Sequence, residues 1–325
     1  MATLTVFAST YNRAANLGAV VEAVAQQSRQ PDEFLITDDG STDGSWEVLT
    51  AWAAKYPLLT LIRNQPNRGA IYSYRKLLER ATGDFFLSTA SDDLILPGTL
   101  EAGMRVAEAY PRAAMVCGRS VWWNEETDDQ FTTGLAMPDK ECFLGPEECV
   151  ALAKRGCLDI GTHATFFHRQ RLWDCGSFRP EHDWHMDWFA TYVLAFRHGI
   201  AWTPHPMAVM RLHSGGYSHI SKHPPAERKK IYAAMAETLL EPEMADVRTG
   251  FNRSGVMSYY QWLMFSVLLG RPRYWRLISP TFLLSLLRAA LRSSKTIREW
   301  VRRFRPVPPR IAHTGIDLSA MRAKK

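Results

Sequence analysis

The sequence predicts an α/β protein whose mostly parallel sheet is flanked by helices. Two observations lead to this fold class. Over the first 120 residues, short apolar runs alternate with stretches whose apolar residues repeat at helical spacing. Polar and acidic residues directly follow several of these runs, as they do at the ligand-binding edge of a parallel sheet. The alternation indicates right-handed crossovers with helices on both faces.

Each predicted strand is a short run of apolar residues, and the first five are 4–8, 34–37, 58–62, 85–87 and 114–117. The predicted helices lie between them, at 14–27, 45–55, 70–81 and 99–109. A second block over 148–215 adds strand signals at 164–167 and 201–204, and a helix that begins near Asp187. The polar stretch 124–147 is predicted to be a long surface loop, a type of loop that often forms a lid.

The charge of the chain is unevenly distributed. The formal net charge is +6, but residues 271–325 carry 14 Lys or Arg against 2 Asp or Glu. A basic segment of this kind favours an anionic membrane surface or a nucleic acid as its partner. No RNA-binding motif accompanies the charge, so we expect no nucleic-acid partner.

The basic segment also contains apolar residues at helical spacing, next to Arg288, Arg292, Arg298 and Arg302. This pattern predicts an amphipathic basic helix that lies in a membrane interface. The uncharged stretch 254–270 is predicted to be a companion hydrophobic helix, too short at 17 residues for a comfortable membrane span. We therefore expect contact with an anionic membrane through 254–310. A solvated basic helix and a dimerisation face, which would make the protein a homo-oligomer, are left open.

The five cysteines are odd in number and form no Cys-x-x-Cys pair. They indicate neither a disulfide framework nor a zinc site, and a reducing cytoplasm is the simplest compartment for them. The N-terminus enters a predicted strand at once, without the basic and apolar regions of a signal peptide. We expect a cytoplasmic protein that lies peripherally on the inner face of the plasma membrane.

Two adjacent carboxylates, Asp92 and Asp93, closely follow the predicted strand 85–87. At the carboxyl end of a parallel strand they would lie where open α/β sheets bind ligands. Unpaired acids are costly there unless a cation or sugar hydroxyls occupy the site, and their hard oxygen atoms suit Mg²⁺ or Mn²⁺. The alternative is that they cap a helix beginning near Pro97.

Polar residues also follow the first two predicted strands. The stretch 9–13 offers hydroxyls, an amide and a cation that suit a nucleotide and its phosphates. The stretch 38–43 offers carboxylates for a ribose or a base N–H, and Gly40 permits close approach. Taken alone, the first stretch is better explained as a helix-capping loop, and Asp43 as a helix cap. No Gly-x-Gly-x-x-Gly or Walker A motif is present, which argues against a dinucleotide dehydrogenase and a P-loop NTPase.

Taken together, these segments resemble the inverting family 2 glycosyltransferases of the GT-A fold. The resemblance is carried by five motifs at agreeing spacing, at 9–13, 38–43, 67–69, 81–84 and 91–93. It covers about residues 1–215. The family's processive polysaccharide synthases carry a Gln-x-x-Arg-Trp motif, which this chain lacks. The resemblance therefore implies the non-processive bacterial type, which adds single sugars.

The resemblance also implies how the chain is divided. A GT-A catalytic domain is expected at 1–225, with a nucleotide-binding half at 1–120 and an acceptor half at 121–225. The remainder, 226–325, is expected to be a C-terminal helical basic extension associated with the membrane.

By the same resemblance, side chains from several motifs hold the nucleotide sugar, and they are Thr10, Tyr11, Arg13, Asp39, Arg68, Asp92 and Arg211. Asp39 would lie at the uracil or ribose, and Arg68 near the base or the diphosphate. Asp93 and Asp92 would hold Mg²⁺ or Mn²⁺, with His213 as a further ligand. The family usually has another Asp where this chain has Ala90, so fewer carboxylates are expected to hold the metal.

Inverting transfer needs a carboxylate that takes the proton of the acceptor hydroxyl. Counting back from Gly199, which resembles the glycine that ends the base-bearing helix in the family, places Asp187 at the base position. Asp183 lies four residues earlier and is the second candidate. The family commonly has Glu before the base, where this chain has Met186. A plain cap for the helix 188–198 is the alternative role for Asp187.

We therefore expect an inverting hexosyltransferase-like enzyme. It would move a sugar from a UDP- or dTDP-linked donor to a lipid-linked or cell-surface polysaccharide acceptor, with Mg²⁺ or Mn²⁺ as cofactor. One alternative is a sugar nucleotidyltransferase, although such enzymes usually need a Gly-rich basic N-terminal loop, and 9–13 has no glycine. The other alternative is a non-catalytic carbohydrate- or membrane-binding protein with the same fold.

Overall fold

The structure of the 325-residue chain is a computed structural model. It describes residues 1–91, 93–124, 126–212 and 223–293, and all that follows concerns these residues. Of the candidate site residues, Asp92 and His213 lie outside this range.

The described residues form one ten-stranded sheet. Its strands are β1 (Leu4–Thr10), β2 (Glu33–Asp38), β3 (Leu59–Arg63), β4 (Phe85–Ser88), β5 (Leu94–Ile95), β6 (Met115–Asn124), β7 (Gln130–Thr132), β8 (Cys142–Leu144), β9 (Thr165–His168) and β10 (Ile200–Leu212). The helices are α1 (Ala14–Ala25), α2 (Ser45–Lys55), α3 (Ala70–Arg80), α4 (Thr99–Ala109), α5 (Pro146–Arg155), α6 (Arg169–Asp174), α7 (Met186–His198), α8 (Pro225–Leu240), α9 (Ala245–Ser254), α10 (Gln261–Leu269) and α11 (Pro280–Ser293).

The sheet is parallel in its first half and mixed in its second. Its order is β3-β2-β1-β4-β9-β6-β10-β5, while β7 pairs with β6 and β8 with β10. The strands β3, β2, β1 and β4 are parallel neighbours. β9 then pairs antiparallel with both β4 and β6, and β10 lies parallel to β6. The predicted βαβ alternation is thus present in the half that forms the ligand-binding edge.

Both faces of the sheet are covered, so its central strands are apolar on both sides. In β1, Phe7 belongs to the core on one face and Val6 to the core on the other, because side chains alternate along a strand. Phe86 of β4 stacks on Phe7 and on Phe167 of β9, at 5.2 Å between ring centroids in both pairs. This row of rings packs the parallel half of the sheet against the mixed half.

The C-terminal helices pack against α7 and share its core. Phe251 of α9 contacts Phe189 and Phe196 of α7, at 5.4 Å between ring centroids in both pairs. Phe282 and Leu286 of α11 are buried in the same cluster. The division of the chain at residue 225 stays a prediction, and the apolar core is continuous across it.

Two stretches differ from the sequence prediction. The supposed loop 124–147 contains β7 and β8, which are too short to leave a recognisable alternation. β7 is held by its pairing with β6, where the rings of Trp122 and Phe131 stack at 5.9 Å. The stretch 254–270 is not one helix, because Gln261 has a φ of 53° between a 3-10 turn and α10.

The predicted basic helix corresponds, in its described part, to α11. Arg298 and Arg302, which belong to the same prediction, lie outside the described residues. Within the described ranges, the structure contains no helix with the length and apolar character needed to span a bilayer.

Candidate active site

Three loops meet at the carboxyl edge of the parallel strands. β1 lies between β2 and β4, and Thr10 pairs with Asp38 while Phe7 pairs with Ser88. The ladder continues one step into the loops, since the amide of Asp39 donates to the carbonyl of Thr10 at 2.9 Å. The structure thereby brings together the candidate nucleotide-binding residues that follow β1 and β2 with the acidic loop that follows β4.

Asn12 holds the first two loops together. Its backbone amide donates to Ser41 Oγ at 2.9 Å, and its side-chain Oδ1 accepts from the amide of Thr42 at 2.9 Å. Its φ of 53° is a left-handed conformation that Asn tolerates better than most residues. Tyr11 therefore stands at the rim of the site with 48% of its surface exposed. The sequence offered the Asn12 amide as a nucleotide contact and did not predict that it joins two loops.

The carboxylate of Asp39 is buried and fixes the loop at 67–69. Its Oδ1 accepts from the amide of Arg68 at 2.9 Å and from Asn64 Nδ2 at 2.8 Å. Its Oδ2 accepts from the amide of Gly69 at 2.8 Å. The guanidinium of Arg68 lies over the ring of Tyr72, 4.5 Å from its centroid. Asp39 thus connects two of the motifs on which the resemblance rests.

Asp93 is buried and is held to the far side of the sheet. Its Oδ1 accepts from the backbone amide of Arg211 in β10 at 3.0 Å. The guanidinium of Arg211 lies over the ring of Trp123, 5.8 Å from its centroid. Capping is not the role of Asp93, because α4 begins only at Thr99 and its N-cap residue is Gly98. The pair Asp93 and Arg211 was predicted to serve one site, and the structure places the two residues in contact.

The donor chemistry of Asp93 fits a divalent cation. Mg²⁺ is commonly held by one or two carboxylates together with substrate phosphates and water, so a single buried carboxylate is a sufficient protein anchor. Within the described ranges, no group of three His, Cys, Asp or Glu side chains is arranged to hold a metal alone. Asp92 and His213, the other predicted ligands, are outside those ranges.

Asp187 lies in the first turn of α7, since the helix begins at Met186. Its Oδ2 accepts from Thr162 Oγ1 at 2.7 Å, and its Oδ1 accepts from the backbone amide of Trp188 at 2.7 Å. Burial raises the pKa of the Asp187 carboxyl, and these two hydrogen bonds oppose the shift without cancelling it. A half-buried carboxylate with a raised pKa is a better proton acceptor than an ordinary surface Asp.

Tyr74 connects Asp187 to the carboxyl edge of the sheet. The hydroxyl of Tyr74, on α3, hydrogen-bonds with Ser88, the last residue of β4. Burial is the main cause that raises the pKa of Tyr74, and the nearby charge of Asp187 raises it further. Asp187 is therefore close to the end of β4, from which the acidic loop begins. Neither Tyr74 nor Thr162 carried a sequence signal, because their contacts exist only in the folded chain.

Asp183 has a strained backbone, with φ of 46° and ψ of −133°. Such conformations cost free energy in residues other than Gly and concentrate at functional sites. The two histidines on either side of it are buried, and burial lowers the pKa of His182 and of His185 to about 3. Both are therefore neutral near pH 7, and His185 Nδ1 is paired with the hydroxyl of Tyr260 at 3.2 Å.

The family model described as "Glycosyl transferase family 2" matches residues 5–176, more than half of the chain. The matched segment contains all three loops at the sheet edge, while Asp187 lies beyond its end.

The uncharacterized glycosyltransferase YibD of Escherichia coli (strain K12) is 32% identical over 145 residues, which are 42% of this chain and 42% of that protein. For YibD and three further curated bacterial relatives, the chain spans less than two thirds of the relative's own length, between 35% and 64%.

Two solved structures resemble the chain over most of its length. S. aureus TarS 1–349 in complex with UDP-GlcNAc has a TM-score of 0.61 at 17% identity, covering 85% of this chain and 84% of that one. The mannosyltransferase PcManGT from Pyrobaculum calidifontis, in complex with GDP-Man and Mn²⁺, has a TM-score of 0.53 at 19% identity, covering 92% and 83%. At these identities the likeness concerns the fold, and it confirms the GT-A fold expected from the sequence.

Proposed function

The chain belongs to glycosyl transferase family 2, and from that membership we propose that it is an inverting enzyme that adds a single sugar to its acceptor. The donor is a nucleotide-diphosphate sugar, UDP- or dTDP-linked, and the acceptor is a lipid-linked saccharide or a cell-surface polysaccharide. The observation that carries the proposal is the hydrogen bond that joins Asp187 to Thr162, in a turn that packs on β4 at the edge where the loops that follow β1, β2 and β4 meet.

In this proposal Asp187 is the general base. The acceptor hydroxyl gives its proton to a carboxylate oxygen of Asp187 while the hydroxyl oxygen attacks the anomeric carbon and the bond to the diphosphate breaks. The hydrogen bond from Thr162 orients the carboxylate. The second candidate, Asp183, keeps a supporting role in the strained turn that precedes α7.

The nucleotide is held by the loops after β1 and β2. Thr10 supports this assignment, because its Oγ1 is buried at the sheet edge without a hydrogen-bond partner among the described residues. A buried hydroxyl in that state costs free energy until a ligand pairs with it. Tyr11 and Arg13 continue the same loop, and Asp39 with Arg68 completes the opposite side. Arg211, held beside Asp93, is assigned to the diphosphate.

The proposed cofactor is Mg²⁺ or Mn²⁺, held by Asp93 and Asp92 with His213. When bound, such an ion would neutralise the charge that develops on the departing diphosphate. The hydrogen bond to the backbone of β10 holds the Asp93 carboxylate at the end of the acidic loop.

A screen of nucleotide sugars tests the proposed reaction. The full chain is incubated with UDP-, dTDP- and GDP-linked hexoses, with and without Mn²⁺, and stabilisation and nucleotide diphosphate release are measured. A matching donor raises the melting temperature of the protein by mass action, because it binds the folded state. Turnover of that donor releases the nucleoside diphosphate in a metal-dependent reaction. Pyrophosphate formed from a sugar phosphate and a nucleoside triphosphate would identify a nucleotidyltransferase instead. Binding without any turnover would identify the non-catalytic alternative.

The proposed location is the cytoplasmic face of the plasma membrane, to which the C-terminal region binds peripherally. Of the twelve large hydrophobic side chains exposed in the described residues, eight lie between Tyr259 and Leu291. The sequence contains no Asp or Glu between residues 247 and 298. Exposed Arg276 and Arg288 lie among these apolar side chains. Apolar area together with positive charge is what binding to an anionic bilayer requires.

Vesicle sedimentation tests the membrane contact. The protein is expected to bind phosphatidylglycerol-containing vesicles more tightly than phosphatidylcholine vesicles, and to lose that preference as salt rises. The double variant Arg276→Glu/Arg288→Glu should weaken binding strongly, because two attractive charges become repulsive. The control Arg80→Glu/Arg155→Glu makes the same change in charge at exposed positions outside the C-terminal region. Equal loss in both variants, or no preference for anionic lipid, would contradict the proposal.

A further inference from the structure

The residue after the proposed base carries a large aromatic ring that meets a ring from the C-terminal region. The rings of Trp188, on α7, and Tyr259 are 6.0 Å apart between centroids, with 27° between their planes. Tyr259 is 69% exposed, an unusual state for an aromatic side chain in a folded protein, and Trp188 is half-buried. We call these two rings the aromatic platform.

Further aromatic rings pack against the Trp188 ring of the platform. Trp188 packs on Tyr192 at 4.7 Å and on Tyr260 at 4.9 Å between ring centroids. Tyr260 is in turn buried against Tyr232 of α8 at 4.4 Å. The ring of Trp188 is therefore fixed in orientation by residues from both the sheet domain and the C-terminal helices.

Polar groups lie around the platform. The backbone amide of Trp188 donates to the carboxylate of Asp187, and the charge of Asp187 adds to the raised pKa of buried Tyr260, on which the Trp188 ring packs. Burial raises the pKa of Tyr192, and the neighbouring Asp159 and Tyr259 raise it further. Asp159 is exposed and uses only its Oδ2 within the described residues, to accept from the amide of Gly134 at 2.8 Å. Its Oδ1 makes no hydrogen bond within the described residues.

We propose that the aromatic platform of Trp188 and Tyr259 binds a pyranose ring of the acceptor, with Asp159 accepting hydrogen bonds from that sugar's hydroxyls. This inference rests on the proposed function, because it places the acceptor beside Asp187. An aromatic face matches the C–H face of a sugar, and carboxylates match its hydroxyls. A purely apolar lipid chain does not fit here, since it would bury the carboxylates of Asp187 and Asp159 without compensation.

The proposal also specifies which part of the acceptor this site recognises. Tyr259 and Trp262 belong to the same exposed stretch, and Trp262 is 56% exposed. The sugar is assigned to the aromatic platform, and the membrane contact is assigned to the exposed residues that follow Tyr259 in the chain. Tyr259 and Trp262 should therefore affect two separate measurements.

The test measures binding of methyl β-D-glucoside, methyl β-D-galactoside and methyl α-D-mannoside to the full chain by saturation-transfer NMR, with UDP present. Tyr259→Ala should weaken the affinity for the bound glycoside by about two- to tenfold, the range for loss of one aromatic contact. Tyr259→Phe keeps the ring and should stay close to the wild-type affinity. Asp159→Asn should weaken binding without disturbing the rings.

The control is Trp262→Ala, which removes another exposed aromatic side chain of the same stretch and should lower vesicle binding while leaving glycoside affinity unchanged. Trp188→Ala is included only if its circular dichroism spectrum shows a folded chain. If this variant does not fold, the Tyr259 variants alone test the proposal. The proposal is overturned if none of the glycosides binds or if Tyr259→Ala binds them like the wild type. Slow hydrolysis of the donor without acceptor should persist in Trp262→Ala, and its absence in the wild type would count against the proposed function instead.

Discussion

At the scale of single residues, the proposed base shows how opposing effects determine a proton affinity. Burial favours the neutral form of Asp187, while the hydroxyl of Thr162 and the amide of Trp188 favour the charged form. Burial is the largest of these effects, so the pKa is raised. Replacing either partner should therefore change the pH dependence of the reaction in a direction that can be stated beforehand.

Asp187→Asn is expected to abolish transfer and leave nucleotide affinity nearly intact. The amide cannot take the acceptor proton, and general-base catalysis contributes about 10²- to 10⁴-fold in rate. Calorimetry of UDP binding and product formation with acceptor separate the two effects. Asp183→Asn is the matched control, because Asn tolerates the positive φ at that position. If Asp187→Asn kept a transfer activity comparable to that of the wild type, Asp187 would not be the base.

Thr162→Val is expected to shift the acidic limb of the kcat/KM profile to higher pH. The rate falls as pH decreases through the pKa of Asp187, because only the carboxylate accepts a proton. Loss of the Thr162 hydrogen bond raises that pKa further, since the bond stabilises the charged form. At pH values above the acidic limb, the wild type and Thr162→Val should react at similar rates. Thr162→Ser keeps the hydroxyl and should reproduce the wild-type profile, and an unshifted limb in the Val variant would contradict the assignment.

Resemblance to a family made Asp187 the candidate base, and the structure explains why the partners of its carboxylate were not predicted. Thr162 and Tyr74 are far from Asp187 along the chain, and neither belongs to a motif. Tyr260 contacts the segment before α7 from the stretch 254–270, which was predicted to be a hydrophobic helix packed on the domain or partly in lipid. Such contacts depend on how helices pack, which single-sequence periodicity does not specify.

At the scale of elements, the loops of the site are held by buried polar side chains. Asp39 and Asn12 each bridge two loops that follow different strands. The sequence predicted β1 to β4 within a residue or two, because their apolar runs are clear. It missed β7 and β8, which have only three residues each, and the interruption at Gln261, which depends on backbone conformation.

Asp39→Asn is expected to destabilise the protein by about 1–3 kcal/mol, the cost of leaving a buried polar group unpaired. An amide has one accepting oxygen, so it cannot accept all three of the hydrogen bonds that the carboxylate accepts at present. Urea unfolding of the full chain measures the change. Asp174→Asn, at an exposed position on α6, should leave the unfolding free energy almost unchanged. Equal stability of the two variants would show that the 67–69 loop is held by other contacts.

At the scale of the whole molecule, the C-terminal helices are part of the structure around α7. A fragment ending at residue 224 would expose Phe189 and Phe196, which Phe251 covers in the full chain. We expect this fragment to be insoluble or to unfold without cooperativity, whereas a chain ending at residue 293 keeps the core. Size-exclusion chromatography and thermal unfolding distinguish these outcomes. A soluble, cooperatively unfolding 1–224 fragment would show that the catalytic domain folds independently.

The position of β9 has a consequence for synthesis of the chain on the ribosome. β9 lies between β4 and β6, although all residues of both those strands are made before it. A gap therefore remains in the nascent sheet until His168 has left the exit tunnel. During that interval, the facing edges of β4 and β6 have unpaired backbone groups, which are prone to pair with other chains. Slow translation just before residue 165 would prolong this exposure, and rapid translation through β9 would shorten it.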